Sequence, residues 1–149
     1  MKTSKVKIFV IVLLSFTIIV AFLHLNTRED IAEGTLLLSI ADKSVTIDIS
    51  EFAYKQVTGV RMNGKGEEIE VNASGISLKN ILEQQKIKNY TKVLVFSDDS
   101  YSAEILAEEL EKDDKVFLIV DEEKTLRLVV FGDTNSKRSV SNVVQIVVE

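Results

Sequence analysis

Residues 126–146 read LRLVVFGDTNSKRSVSNVVQI: an apolar run, a loop opened by Gly132 that carries Lys137 and Arg138, and a second run rich in valine. The aliphatic and β-branched content of 126–131 and 140–148 predicts two strands, and the small polar residues between them predict a loop. Arg127 lies inside the first run. Three cations around one glycine-containing turn can receive a phosphate or carboxylate, because guanidinium and ammonium groups make charge-assisted hydrogen bonds to such oxygens. The same cations can equally pair with local acids such as Asp133.

Working back from this stretch, VFLIV (116–120) and KVLVFS (92–97) are nearly continuous apolar strands, and DEEK (121–124) is a turn. DDSYSAEI (98–105) reads as a turn plus a strand, and AEELEKDD (107–114) as a short acidic helix or turn. In ISLKNILEQQKI (76–87), Leu78, Ile81, Leu82 and Gln85 fall at helical spacing, with Ser77 placed to cap. VTGVRMNGKGEEIEV (57–71) is a hairpin whose turn is marked by Asn63-Gly64 and Gly66. Before it, SEFAYKQ (50–56) is predicted as a brief helix capped by Ser50, and TLLLSIADKSVTIDI (35–49) as a first hairpin turning at Ala41-Asp42-Lys43. The order implies an α+β, β-rich mixed domain over residues 35–149, with roughly eight strands and two or three short helices. No segment repeats at a fixed period and none is of low complexity.

The chain has 149 residues, room for one membrane segment and one domain. Four of its 18 basic residues and none of its 23 acids lie in the first 28 positions, so residues 29–149 carry a formal charge of −9. That field repels phosphate backbones and argues against a nucleic-acid partner. Cysteine, tryptophan and proline are absent, and the single histidine, His24, ends the hydrophobic segment. Thiol nucleophiles, disulfides, thiolate metal sites and imidazole bases therefore have no residues to build them in the domain.

Residues 1–7, MKTSKVK, form a basic start, and 14 of the 18 residues at 8–25 are Leu, Ile, Val or Phe. At the usual insertion scale those residues favour the membrane by about −4 to −8 kcal/mol, and as a helix the segment is roughly 27 Å long. No small-residue cleavage pattern follows closely, the nearest being Ala32-Glu33-Gly34, which predicts an uncleaved anchor. The alternative is a cleaved signal, which would release the domain as a secreted protein. The lysines place the amino end in the cytoplasm and the domain on the extracytoplasmic side, after a polar spacer at 26–34.

Other motifs are weak. Residues 98–109 place Asp98 first and Glu109 last in a calcium-loop register, but Ser100, Ser102 and Ala103 occupy positions that need ligands or glycine. The acidic run through Glu104, Glu108, Glu109 and Glu111 fits a solvated face. No Ser-x-x-Lys signature follows the membrane segment.

Taken in order, GISLKNILEQQKI, KVLVFSDDSYSAEILAEEL, KVFLIV and LRLVVFGDTNSKRSVSNVVQI resemble the oxidoreductase molybdopterin-binding domain of the sulfite oxidase family. Gly75, Leu78, Leu82, Asp99, Tyr101, Leu126, Arg127, Val129, Val130, Gly132, Arg138 and Val140 fall on the family pattern, across residues 75–149. The resemblance implies the fold and, at face value, a molybdopterin-dependent oxidoreductase or a subunit of one. The departures fall on the cofactor's contacts. The molybdenum-ligating cysteine is missing, Ser141 and Asn142 stand where the family has lysine and tryptophan, and Phe131 replaces a proline. The resemblance therefore implies a degenerate version with no bound cofactor or metal and no catalytic residues. Its remaining role is binding, with Tyr101, Arg127, Gly132, Lys137 and Arg138 as the candidate pocket for a small anion or a partner protein.

Overall fold

The computed structural model describes Ser15, Thr17 and residues 34–112, 114–121 and 125–149. The chain divides into two units, Met1–Asp30 and Ile31–Glu149, and the fold below is that of the second. The expected membrane segment at 8–25 falls outside the described residues apart from Ser15 and Thr17, and the spacer at 26–34 does so apart from Gly34. Among the described residues no helix is long and apolar enough to cross a membrane.

The domain is a β-rich α+β fold with two sheets and few, short helices. Its strands are β1 (Thr35–Ile40), β2 (Lys43–Asp48), β3 (Lys55–Met62), β4 (Glu68–Ser77), β5 (Lys92–Ser97), β6 (Ser102–Leu106), β7 (Val116–Val120), β8 (Leu126–Val130) and β9 (Val143–Val148). Helix α1 covers Leu78–Gln84 and α2 covers Ala107–Lys112. One sheet has the order β2-β1-β9-β5-β6, and the other β3-β4-β7-β8. All pairings are antiparallel except β1 with β9.

Local chemistry explains most of the turns. Ala41 takes the left-handed conformation (φ 51°) at the β1–β2 turn. The β3–β4 turn is held by the Asn63 side chain, whose oxygen accepts from the amides of Lys65 and Glu67 at 2.9 Å each, while Gly66 supplies a positive φ. Helix α1 buries Leu78, Ile81 and Leu82 and ends where Lys86 turns left-handed, so that the Ile87 amide reaches back to the Leu82 carbonyl. Ser77 stands at the cap position without a capping bond; its hydroxyl engages Asp114.

Two expectations need correction. The helix predicted at 50–56 is a single 3₁₀ turn, Ile49–Glu51, capped by Asp48, whose carboxylate accepts from the Ser50 amide at 2.8 Å. Lys55 and Gln56 join β3 because Val57 must alternate into an apolar face, a tertiary demand that outweighs the local helical pattern. Ser50, expected as the cap, lies within the 3₁₀ turn and its hydroxyl donates to Asp48, while the nine strands among the described residues agree with the roughly eight expected.

The main core lies between the sheets: Leu36 and Leu38, Ile76, Val93 and Val95, Ile105, Leu118, Leu128 and Ile146 all pack into it, with the apolar faces of α1 and α2 alongside. A register shift opposite Phe96 and Ser97 makes Val144 an extra residue in β9, which lets Val143 and Ile146 both reach that core.

The four-stranded sheet has a second apolar face. Val57, Val71, Phe117, Ile119 and Val129 are buried there against Ala73 and Phe131, all of them from this sheet and the residue that follows it. The sheet achieves this by curling. Phe131, just past edge strand β8, lies on Gly59 of the opposite edge strand β3, where an added Cβ would meet ring carbons at 2.5–2.8 Å. The rings of Phe117 and Phe131 stand 5.7 Å apart, and the Lys55 ammonium, ion-paired with Asp114, sits 4.8 Å over the Phe117 ring.

Candidate functional site

Strand β8 decides where each cation goes. Leu126, Leu128 and Val130 point into the main core, so Arg127 and Val129 face the hollow of the curled sheet. The loop after it leaves the strand through Gly132 (φ 88°) and is pinned by a Leu128–Val140 bridge.

Within that loop Arg138 is fully engaged. Its Nε donates to Asp133 Oδ2 at 2.8 Å and its Nη2 to Asp133 Oδ1, while Nη1 donates to both oxygens of Glu109 at 2.9 and 2.6 Å. Asp133 first, and Glu109 after it, push the Arg138 pKa up, against the opposing pull of burial. Tyr101 is held differently: its hydroxyl donates to the Lys137 carbonyl at 2.6 Å, and its amide donates to Asp99 at 3.0 Å. Asp99 also accepts from the Ser97 hydroxyl, and these bonds hold its carboxyl below its usual range. The Lys137 side chain is exposed.

The structure thus divides the five residues expected in one pocket. Gly132 and Arg138 share a hollow of about 260 Å³ with Glu109, Asp133 and Phe131. Tyr101 lines a smaller one of about 160 Å³ with Asp98, Asp99 and Ser139. Lys137 meets Tyr101 only through its backbone carbonyl. Arg127 belongs to a third pocket, open and of about 580 Å³, lined by Arg61, Ile69, Val71, Ala73, Ile119 and Asp121 among others.

That third pocket is the mouth of the curled sheet. Arg61 pairs with Ile69 across β3 and β4, and Arg127 pairs with Ile119 across β7 and β8. Curling brings these two edge-strand arginines onto the same hollow. Burial lowers the Arg61 pKa, and the positive charge of Arg127 lowers it further. Arg61 forms no ion pair among the described residues. Arg127 has one, a loose contact of 3.7 Å from Nη2 to Asp121 Oδ2. Asp121 is already occupied as an acceptor, taking hydrogen bonds from the Thr125 amide and hydroxyl at 2.9–3.0 Å. Glu70 also borders the pocket, but it alternates with Ile69 and Val71, so its exposed side chain points to the other face of β4.

Sequence reasoning missed Arg61. The usable signal was the spacing of Val57, Gly59 and Arg61 opposite Ile69, Val71 and Ala73, which puts an arginine at the end of an apolar strand face in the same way as Arg127. No protein-family model matches the sequence, and no curated protein matches it.

Chemically, two guanidiniums beside one hydrogen-bonded carboxylate can receive an anion. Among the described residues no three His, Cys, Asp or Glu side chains are grouped to hold a metal ion.

Proposed function

We propose that the chain is a membrane-tethered, non-catalytic binding module displayed on the extracytoplasmic side, its domain a degenerate relative of the oxidoreductase molybdopterin-binding fold, and that it receives an anion between Arg61 and Arg127. The observation that carries this reading is the like-charge pair itself. Two arginines in one partly buried pocket repel each other, and an anion that bridges them relieves that repulsion.

Support for a non-catalytic role comes from the loop that the resemblance assigns to the cofactor. Its arginine, Arg138, is saturated by Glu109 and Asp133, and the chain has no thiolate to ligate molybdenum. These residues do not fit the molybdopterin group. The tether rests on the hydrophobic segment at 8–25 and the lysines before it.

Titrating the full chain with acetate and with inorganic phosphate, followed by amide chemical shifts, tests the site. Arg61→Ala and Arg127→Ala should each weaken binding about 10- to 100-fold, since a charge-assisted contact is worth about 1.5–3 kcal/mol, while Arg138→Ala should leave affinity unchanged. Equal affinity in all three variants, or no saturable binding in the parent, overturns the proposal. Stoichiometric molybdenum in protein from a cofactor-competent host overturns its non-catalytic part.

A further inference from the structure

Resting on that reading, we infer that the anion is an organic monocarboxylate with a short apolar body, its head between Arg61 and Arg127 and its body on Ile69 and Ala73. Charge selects the head. Among the described residues whose side chains face the hollow, Arg61 and Arg127 with Asp121 carry one net positive charge, which a singly charged group neutralises. A dianion such as phosphate leaves an excess negative charge beside Asp121.

The floor selects the body. Between the two arginines the wall is aliphatic: Ile69 and Ala73 remain partly exposed, over the buried Val71 and Ile119. An inorganic ion leaves this surface wet, whereas an alkyl or aryl group covers it. The volume of about 580 Å³ lies within the range of pockets that hold small organic ligands, about 300–1,000 Å³. Beyond Val71 and Ile119 the sheet face is filled by Phe117, Val129 and Phe131, so the body is short and lies along the mouth.

The test is a homologous series, acetate, butyrate and hexanoate, against inorganic phosphate, titrated into the full chain in mild detergent. The Arg61→Gln, Arg127→Gln double variant measures any uptake by the detergent. Affinity should rise about two- to fourfold for each added methylene, the gain expected when one is partly or fully buried, and phosphate should bind no tighter than acetate. Ile69→Ser, at a partly exposed position outside both cores, should flatten the series, so that each added methylene gains less affinity than in the parent. A flat series in the parent, with acetate binding still lost in the double variant, overturns this inference and leaves the anion site standing. Phosphate binding tighter than hexanoate overturns it in the same way. A glutamate-rich peptide that binds through both arginines while hexanoate does not would replace the small ligand with a partner protein. If no anion binds saturably, the underlying site itself is wrong.

Discussion

Arg127 and Arg138 stand on one strand and the loop that follows, yet they are partnered very differently. Arg138 spreads its guanidinium across two carboxylates and braces the loop against α2. Removing it leaves Asp133, largely shielded from water, without its partner. Arg138→Ala should therefore lower stability by about 1.5–3 kcal/mol, and Arg138→Lys should recover little because an ammonium cannot span both acids. Urea denaturation checks this; a change below about 0.5 kcal/mol for Ala, the size expected at an ordinary surface position, would show that the bridge does not brace the loop. Acid should weaken the fold through other groups. Asp99, bonded by the Ser97 hydroxyl and the Tyr101 amide, and Asp48, bonded by the Ser50 hydroxyl and amide, both sit below their ordinary value of 3.8. Because the folded state depresses these values, the unfolded chain binds more protons in acid. The stabilisation is complete above about pH 4 and disappears as pH falls through the folded values. The urea midpoint should fall below that pH, and Asp99→Asn should fall less steeply than the parent; parallel curves would remove Asp99 from the account. At this scale the sequence was half legible. Asp133 could be named as a partner because it shares a loop with Arg138, but Glu109 reaches it only through the tertiary fold.

At the scale of the elements, the runs of valine, isoleucine and leucine marked most strands correctly, because most of them bury at least one face and β-branched side chains suit that geometry. Curvature was not legible. Alternation assigns Gly59, Val71 and Phe131 to faces, but only the closed hollow shows that the two edge strands meet. The contact of Phe131 with Gly59 is its diagnostic feature. Gly59→Ala should cost about 1–3 kcal/mol by overpacking, and Phe131→Ala in the same chain should relieve part of that cost. A double-mutant cycle should give a coupling of about 0.5–3 kcal/mol. Additive effects would mean that the ring does not clamp the sheet. The failed helix at 50–56 has the same origin: Ser50 and its neighbours favour a turn, but the strand face that Val57 joins is assembled from distant residues.

For the whole molecule, both apolar cores are, among the described residues, built from residues after Gly34, and the second unit begins at Ile31. A chain truncated to start at Ile31 should unfold in one cooperative transition, with far-ultraviolet dichroism and tyrosine fluorescence changing together. Separate midpoints would show that the first unit supports the domain. The arrangement of strands depends on pairings remote in sequence. The five-stranded sheet is the clearest case. Strand β9 lies between β1 and β5, joining the β1–β2 and β5–β6 hairpins, and it brings Gln145 beside Leu37. Until residues 143–148 are available, those hairpins have no shared strand and the sheet has no centre. Such closure across most of the domain is slow, because its entropy is lost before the contacts can compensate. A chain made amino end first therefore leaves this sheet in two separate halves until its ninth strand is present.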